Sequence, residues 1–180
     1  MKRAIIAGCG GYVPAHIRTN ADIEKMVETN DAWIVERTGI RQRHIAAPDE
    51  MTSDLAAAAA RDALKHAGME ASGIDLLLLA TTTPDDTFPA TAVHTQRKIG
   101  MTQGAAMDIA AACSGFVYGL HLARAMIENE QAKNVLVIGA EIFSRIMDWN
   151  DRNTCILFGD GAGAVVLRAE DAADRGLLYT

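Results

Sequence analysis

The sequence predicts an α/β fold in which a mostly parallel sheet is completed by an antiparallel pair of strands. Apolar runs typical of buried strands alternate with helical segments along the 180 residues. The run IDLLLLATTT (74–83) is apolar enough for a strand covered on both faces. The composition, 49% hydrophobic and 22% charged, is that of a globular protein. We therefore expect a single domain over residues 1–180.

Strong start and stop signals locate the individual elements. A first strand is predicted at 3–9, before a glycine pair. Asn20 is the expected cap of a short helix, and a second helix from Asp31 stops at Gly39. The remaining predicted elements are an alanine-rich helix from Thr52 or Ser53 to Gly68, the strand 74–83, a loop between Pro84 and Pro89, a helix ending at Gly100, a strand at 105–110, a helix at 113–128, a strand at 134–142, two strands joined by a glycine-rich turn in 154–169, and the start of a strand in 176–180.

The helix predicted at 113–128 is apolar or small on nearly every face until Arg124. A helix that is apolar all round has to be buried on all sides. One sheet covers only one side of it, so we expect a second domain or a second subunit to cover the other.

Composition excludes several classes of protein. The net charge of −6 is spread along the chain without a basic run, which argues against binding of nucleic acid. No segment has the roughly 18–20 apolar residues of a membrane span, and the apolar run near residue 5 is too short for a signal peptide. We therefore expect a cytoplasmic protein. Its three cysteines indicate free thiols and not a disulfide framework, and its five histidines show no metal-ligand spacing.

Two glycine clusters invite a nucleotide-binding interpretation, GCGGYVP (8–14) and FGDGAGAVV (158–166). The first has the wrong glycine spacing for a dinucleotide fingerprint, and Pro14 stands where the phosphate-binding helix would run. The second leads into a strand and lacks the Lys-Ser/Thr of a P-loop. Tight turns are the favoured interpretation of both clusters.

Cys113 is the candidate nucleophile. Free cysteines are often simply buried in a core, and composition alone favours that role. Its position at a predicted strand-to-helix junction favours a thiolate, because free N–H groups and the helix dipole act there. Small neighbours leave room for a substrate carbonyl and for a backbone N–H in an oxyanion hole. His121 lies about 12 Å further along the same helix, too far to act as its base.

The segment DIAAACSGF (108–116) resembles the active-site segment of the thiolase superfamily. The whole chain most closely resembles the β-ketoacyl-acyl-carrier-protein synthase III family. Its matching segments are 18–46, TFPATA (87–92), 108–116 and DRNTCILFGDGAGAVVL (151–167). The resemblance implies a thiolase-like fold, one αβαβα-type half with a mixed five-stranded sheet. It also implies that residues 1–180 are an N-terminal domain and that the family's C-terminal domain is absent from this chain.

The resemblance assigns roles to particular residues. Cys113 is implied as the acyl-accepting nucleophile. Residues implied in coenzyme A binding are Thr29, Trp33, Arg37 and Arg152, with Trp33 stacked on the adenine and Arg152 on its other face. Thr82 and Phe88 are implied at the acyl pocket, with Phe88 reaching toward the partner of a homodimer. Without the resemblance, a packing role is favoured for Trp33, and the role of ordinary solvated charges is favoured for Arg37 and Arg152.

The implied activity is decarboxylative Claisen condensation of acetyl-coenzyme A with malonyl-acyl-carrier protein, initiating fatty-acid synthesis. The thioester is a substrate, and no cofactor is implied. A histidine and an asparagine of the missing half assist decarboxylation in the family, so we expect this chain alone to be incomplete unless that half is supplied in cis or in trans. Two alternatives stay open: a condensing enzyme of secondary metabolism with a different acyl primer, and a catalytically silent half that binds acyl groups or dimerises.

Overall fold

The computed structural model describes residues 1–178 and divides into two compact units. Unit 1 comprises residues 1–12, 52–141 and 162 onward, and unit 2 comprises residues 13–51 and 142–161. Of the strand predicted at 176–180, residues 179 and 180 lie outside the described residues, and 176–178 are not in a strand. No helix in the described part of the chain is long and apolar enough to cross a membrane.

A mixed five-stranded sheet forms the centre of unit 1, which confirms the predicted fold class. Its strands are β1 (Lys2–Tyr12), β4 (Leu76–Ala80), β5 (Ala105–Ile109), β6 (Asn134–Ile142) and β7 (Asp160–Asp171), in the order β1-β7-β6-β4-β5. Strand β4 pairs in parallel with both β5 and β6, whereas β1 and β7 pair antiparallel. The helices of this unit are α3 (Thr52–Ala67), α4 (Thr91–Ile99) and α5 (Gly115–Glu128).

Strand β4 is apolar throughout because both faces of the sheet are covered at this point. All five of its residues are buried. Leu77 and Leu79 belong to one core cluster with the alanines of α3, while Leu76 and Leu78 belong to a second cluster with Ala123 of α5. Successive side chains of a strand point to opposite faces, so one run of leucines contributes to two cores.

Apart from Gly159, which directly precedes β7, the glycines of both clusters lie inside strands, so the predicted tight turns are wrong at these positions. Gly8 and Gly10 belong to β1, at the place where α3 crosses it. A Cβ at Gly10 would lie 2.2 Å from the backbone N of Ala63, so only glycine permits this approach. The second cluster enters β7, whose Gly163 pairs with Gly11 of β1.

Helix α5 is covered by the sheet on one side only, as predicted. Its Gly119 packs so closely on β6 that an added Cβ would lie 2.9 Å from Val137. On the other side Val117 and Tyr118 are more than half exposed. An apolar surface of this kind on a helix centre marks a binding face.

Unit 2 is smaller and contains elements that the sequence did not reveal. Strands β2 (His16–Thr19) and β3 (Gln42–Ile45) form a two-stranded antiparallel sheet, and the helices of this unit are α1 (Asn20–Ile23), α2 (Asp31–Thr38) and α6 (Arg152–Cys155). The predicted strand at the start of 154–169 is wrong, because residues 152–155 are helical and the remaining strand is β7. The predicted helix cap is also shifted by one residue: Thr19 caps α1 in a capping box with Asp22.

Two buried charged residues hold the segments of unit 2 together. Arg43 donates to Asn20 Oδ1 at 2.8 Å and to the carbonyl of Ile156 at 2.7 Å, and burial lowers the pKa of its guanidinium. Asp160 accepts from the backbone N–H of Ala46 at 2.7 Å and from the hydroxyl of Ser144 at 2.6 Å. Each charge is thus hydrogen-bonded, as burial of a charge requires.

Candidate functional site

Cys113 lies in a short 3-10 turn, Ala112–Ser114, between β5 and α5. Cys113 is exposed. The residue before it, Ala112, has φ = +45°, a left-handed conformation that is costly for a residue other than glycine. Strain of this kind persists only where the surrounding structure enforces it and is concentrated at functional sites. The predicted strand-to-helix junction is confirmed, and it is a strained one.

The strand ends around this turn lie at one edge of the sheet. Strands β4, β5 and β6 run in parallel, so their carboxyl ends meet at the same edge, where α/β proteins bind ligands. Gly115, the first residue of α5, packs on Ala80 at the end of β4, and a Cβ there would lie 2.9 Å from the Ala80 Cβ. The N–H of Thr81 donates to the carbonyl of Ile109 at the end of β5, at 3.2 Å.

Glu141, near the end of β6, is a site residue that sequence reasoning missed. Its Oε1 accepts from the N–H of Thr82 at 2.8 Å and from the Thr82 hydroxyl at 3.0 Å. Its Oε2 accepts from the hydroxyl of Thr83 at 2.5 Å and, at 3.5 Å, from that of Thr81. A single glutamate at a strand end carries no sequence signal, because its partners are 58 to 60 residues away.

The loop after these threonines carries Phe88, which is 82% exposed and precedes Pro89 in a cis peptide bond. Asp108, at the end of β5, holds the far end of this loop. Its carboxylate accepts from the backbone N–H groups of Thr91 at 2.8 Å and Ala92 at 2.7 Å. Both donors belong to the first turn of α4, where N–H groups have no acceptor within the helix, and the cap residue Ala90 has no polar side chain to accept them.

In unit 2 the structure brings together the four residues implied in coenzyme A binding. The guanidinium carbon of Arg152 lies 4.4 Å from the ring centroid of Trp33, and that of Arg37 lies 4.8 Å from it. Both distances are those of cation–π contacts. An aromatic base stacked between Trp33 and Arg152 needs more room than 4.4 Å, so Arg152 has to move away from the ring before a base can enter.

A small cleft adjoins Trp33. It has a volume of about 180 Å³, and its lining residues are Glu28, Thr29, Asn30, Trp33 and Arg152. The Thr29 hydroxyl is buried here and has no hydrogen-bond partner among residues 1–178. A buried polar group without a partner costs free energy, so this hydroxyl is an available contact for a polar ligand atom. Helix α2 is held beside the cleft because Asn30 Oδ1 caps the Trp33 N–H at 2.8 Å.

The other two thiols have different surroundings. Cys155 is fully buried in the core of unit 2, and burial raises the pKa of its thiol. Cys9 is exposed, and its Sγ lies 3.5 Å from Nδ1 of His66. The sequence did not predict this contact between Cys9 and His66, because the two residues are 57 positions apart.

The mixed sheet, the central helix and the exposed cysteine at its start define a thiolase-like α/β protein. Residues 107–180 match the family model of 3-oxoacyl-[acyl-carrier-protein] synthase III. The chain is 62% identical to the β-ketoacyl-[acyl-carrier-protein] synthase III of Rhodospirillum centenum, over 99% of the chain and 56% of that protein. It is 61% identical to that of Thiobacillus denitrificans, over 97% of the chain and 54% of that protein.

Solved structures agree with these relatives. The 3-oxoacyl-[acyl-carrier-protein] synthase III of Aquifex aeolicus matches with a TM-score of 0.90 and 47% identity, over 96% of this chain and 55% of that one. A priming β-ketosynthase from a polyketide biosynthetic pathway matches with a TM-score of 0.92 and 35% identity, over 95% of this chain and 51% of that one. Over nearly its whole length this chain is similar to members of the β-ketoacyl-acyl-carrier-protein synthase III family, and it spans about half the length of the curated relatives it matches.

Proposed function

We propose that Cys113 is the acyl-accepting nucleophile of a β-ketoacyl-acyl-carrier-protein synthase III that initiates fatty-acid synthesis. The observation that carries the proposal is the exposed thiol in a strained turn at the start of α5, at the carboxyl edge of three parallel strands. The Cys113 thiolate attacks the carbonyl carbon of acetyl-coenzyme A, and the thiolate of coenzyme A leaves. Malonyl-acyl-carrier protein then loses carbon dioxide, and the resulting carbanion attacks the acetyl-cysteine carbonyl. Acetoacetyl-carrier protein forms, and the Cys113 thiolate is regenerated.

Coenzyme A is assigned to the Trp33 cluster of unit 2. An aromatic ring flanked by two arginines suits a base that stacks and phosphates that need cationic partners. Arg152, once it leaves the Trp33 ring, is the residue assigned to the other face of the adenine. The thioester is a substrate, and no further cofactor is part of the proposal.

The same proposal includes an acyl-carrier protein as partner, a homodimer with Phe88 at its interface, and a cytoplasmic location. The exposed Phe88 side chain supports the homodimer, and the free cysteines support the cytoplasmic location. We further propose that residues 1–180 are an N-terminal domain and that condensation needs residues beyond them. The uncovered apolar face of α5 and the greater length of the relatives support this.

A condensing enzyme with a different acyl primer is the second candidate, because the polyketide-pathway ketosynthase matches over 95% of the chain. Intact-protein mass spectrometry after incubation with acetyl-coenzyme A or longer acyl-coenzyme A separates the two. The first proposal predicts an acetyl adduct that is lost in Cys113→Ser, and the second predicts a longer preferred acyl group. A chain without any adduct is a silent acyl-binding or dimerising half, and contradicts both.

The assignment of Trp33 has its own test. Trp33→Ala removes the stacking surface, so we expect the affinity for free coenzyme A to fall by about 1–2 kcal/mol, roughly five- to thirtyfold. Isothermal titration of both proteins with coenzyme A measures this. Trp149, which carries Arg18 at 4.1 Å from its ring centroid, offers a matched control, since Trp149→Ala removes a similar pair outside the cleft. Equal affinities of Trp33→Ala and the unaltered chain would return Trp33 to a packing role.

A further inference from the structure

We propose that Glu141 is a positioning residue that sets which acyl chains Cys113 accepts, by holding the segment Thr81–Thr83 in place. The inference rests on the proposed function, because it concerns the acyl group transferred to Cys113. Glu141 is not proposed to touch the thiol or the acyl group; it acts through Thr82.

Strand geometry places Glu141 on the same side of the sheet as the cysteine-bearing turn. Gly139 faces α5, since a Cβ there would lie 3.5 Å from the ring of Phe116. Side chains two residues apart on a strand share a face, so Glu141 also lies on the α5 side. Ala80, which contacts Gly115 at the start of α5, brings β4 to the same place, and Thr82 follows it by two residues.

The hydrogen bonds of Glu141 leave Thr82 little freedom. One carboxylate oxygen accepts both the backbone N–H and the hydroxyl of Thr82, at 2.8 and 3.0 Å. A threonine side chain has only three staggered positions, so fixing the hydroxyl also fixes the methyl group. Because the hydroxyl is engaged, the group that Thr82 presents to its surroundings is this methyl. The resemblance implies that Thr82 lies at the acyl pocket, and a methyl group fixed there limits the length of acyl chain that fits beside it.

The hydroxyls of Thr83 and Thr81 donate to the other Glu141 oxygen, Oε2, and these bonds restrict the backbone of residues 81–83. Thr83 donates at 2.5 Å, and Thr81 is buried with its own N–H bonded to the end of β5. Glu141 therefore ties β6 to the residues after β4, and Thr81 ties those residues to β5. The Glu141 carboxylate thus connects β6 to the segment after β4, and the backbone N–H of Thr81 connects that segment to β5 separately.

The test measures the rate of Cys113 acylation by acetyl-coenzyme A and by hexanoyl-coenzyme A, followed by intact-protein mass spectrometry. The decisive quantity is the ratio of the two rates. We expect Glu141→Ala to shift this ratio about tenfold toward the longer chain, as the loss of charge-assisted hydrogen bonds frees the segment. Glu141→Gln keeps an amide oxygen for Thr82 and an NH₂ donor for the Thr83 hydroxyl, so its ratio stays close to that of the unaltered chain.

Asp75 supplies the matched control. Its carboxylate also joins β4 to β6, by accepting from the N–H groups of Lys133 and Asn134 at 2.8 and 2.9 Å, but at the opposite end of the strands. Asp75→Ala is expected to lower stability and leave the ratio unchanged. Thr82→Val keeps the shape of the side chain and loses the hydroxyl, so it shifts the ratio in the same direction as Glu141→Ala. In the double variant the two shifts are less than additive, since both act through one contact.

An unchanged ratio in Glu141→Ala, with both rates lowered alike, would show a structural role only and overturn the inference. The same holds for fully additive shifts in the double variant. Should Glu141→Ala fail to fold, Thr82→Val decides: a shifted ratio supports the inference, and an unshifted one overturns it. Failure of the proposed function is seen separately, as the lack of any acyl adduct on Cys113 in the unaltered chain, and this outcome also removes the inference.

Discussion

Gly10→Ala is expected to destabilise the fold strongly, because β1 and α3 meet backbone to backbone at this residue. The added Cβ would lie 2.2 Å from the N of Ala63 and 2.6 Å from the carbonyl oxygen of Ala59, whereas ordinary contact begins near 3.4 Å. Neither neighbour is a flexible side chain. The helix has to move by about 1 Å over its contact with β1, which separates well-packed alanines from the sheet.

Overpacking usually costs about 1–3 kcal/mol, and rigid backbone atoms place this site at the upper limit or beyond it. We expect a loss of roughly 3 kcal/mol in the free energy of unfolding, or about 6–12 °C in Tm for a chain of this size. Thermal and urea unfolding followed by circular dichroism measure both quantities.

Gly163→Ala is the control for this experiment. Gly163 is also a strand glycine of the same sheet, but nothing lies within 4 Å of an added Cβ. Its replacement is therefore expected to change stability by less than about 1 kcal/mol. If Gly10→Ala unfolds at the same temperature and urea concentration as Gly163→Ala, the close approach of α3 to β1 is not what requires a glycine at position 10.

Two further predictions concern thiols and carboxylates. In the folded chain Cys155 is expected to react with iodoacetamide far more slowly than Cys113, because burial raises the pKa of the Cys155 thiol and excludes the reagent. Peptide mapping over time measures both alkylation rates. Equal rates would contradict the burial of Cys155. Burial opposes ionisation of Glu128, but the hydrogen bonds from Arg3 and Arg124 outweigh it and lower its pKa below the usual 4.5. The ionised Glu128 carboxylate thus stabilises the fold above about pH 4.5, and this contribution is lost as the pH falls through the lowered pKa. Glu128→Gln is expected to flatten the acid side of a plot of unfolding free energy against pH. An unchanged slope would refute a lowered pKa for Glu128.

Local patterns in the sequence determined most of the regular elements. The alanine-rich helix ends at Ala67 before Gly68, and the strand at 134–142 has the predicted bounds. These elements are specified by residues close together in sequence: caps, a terminal glycine in the left-handed region, and an unbroken apolar run. The same is true of Cys113, whose place between β5 and α5 follows from the order of its neighbours.

Tertiary structure alone decided the features that depend on residues far apart in the chain. The sequence pattern around Gly8 and Gly10 is typical of a turn. Both glycines are instead required by the close approach of α3 to β1, which a local sequence pattern does not contain. Residues 154 and 155, predicted in a strand, instead lie in the helix Arg152–Cys155, which Asp151 caps within unit 2. Glu141 gains its significance from hydroxyl groups 58 to 60 residues away, which only the parallel alignment of β4 and β6 brings within hydrogen-bond distance. Propensity acts over a few residues, whereas these contacts exist only once the chain has folded.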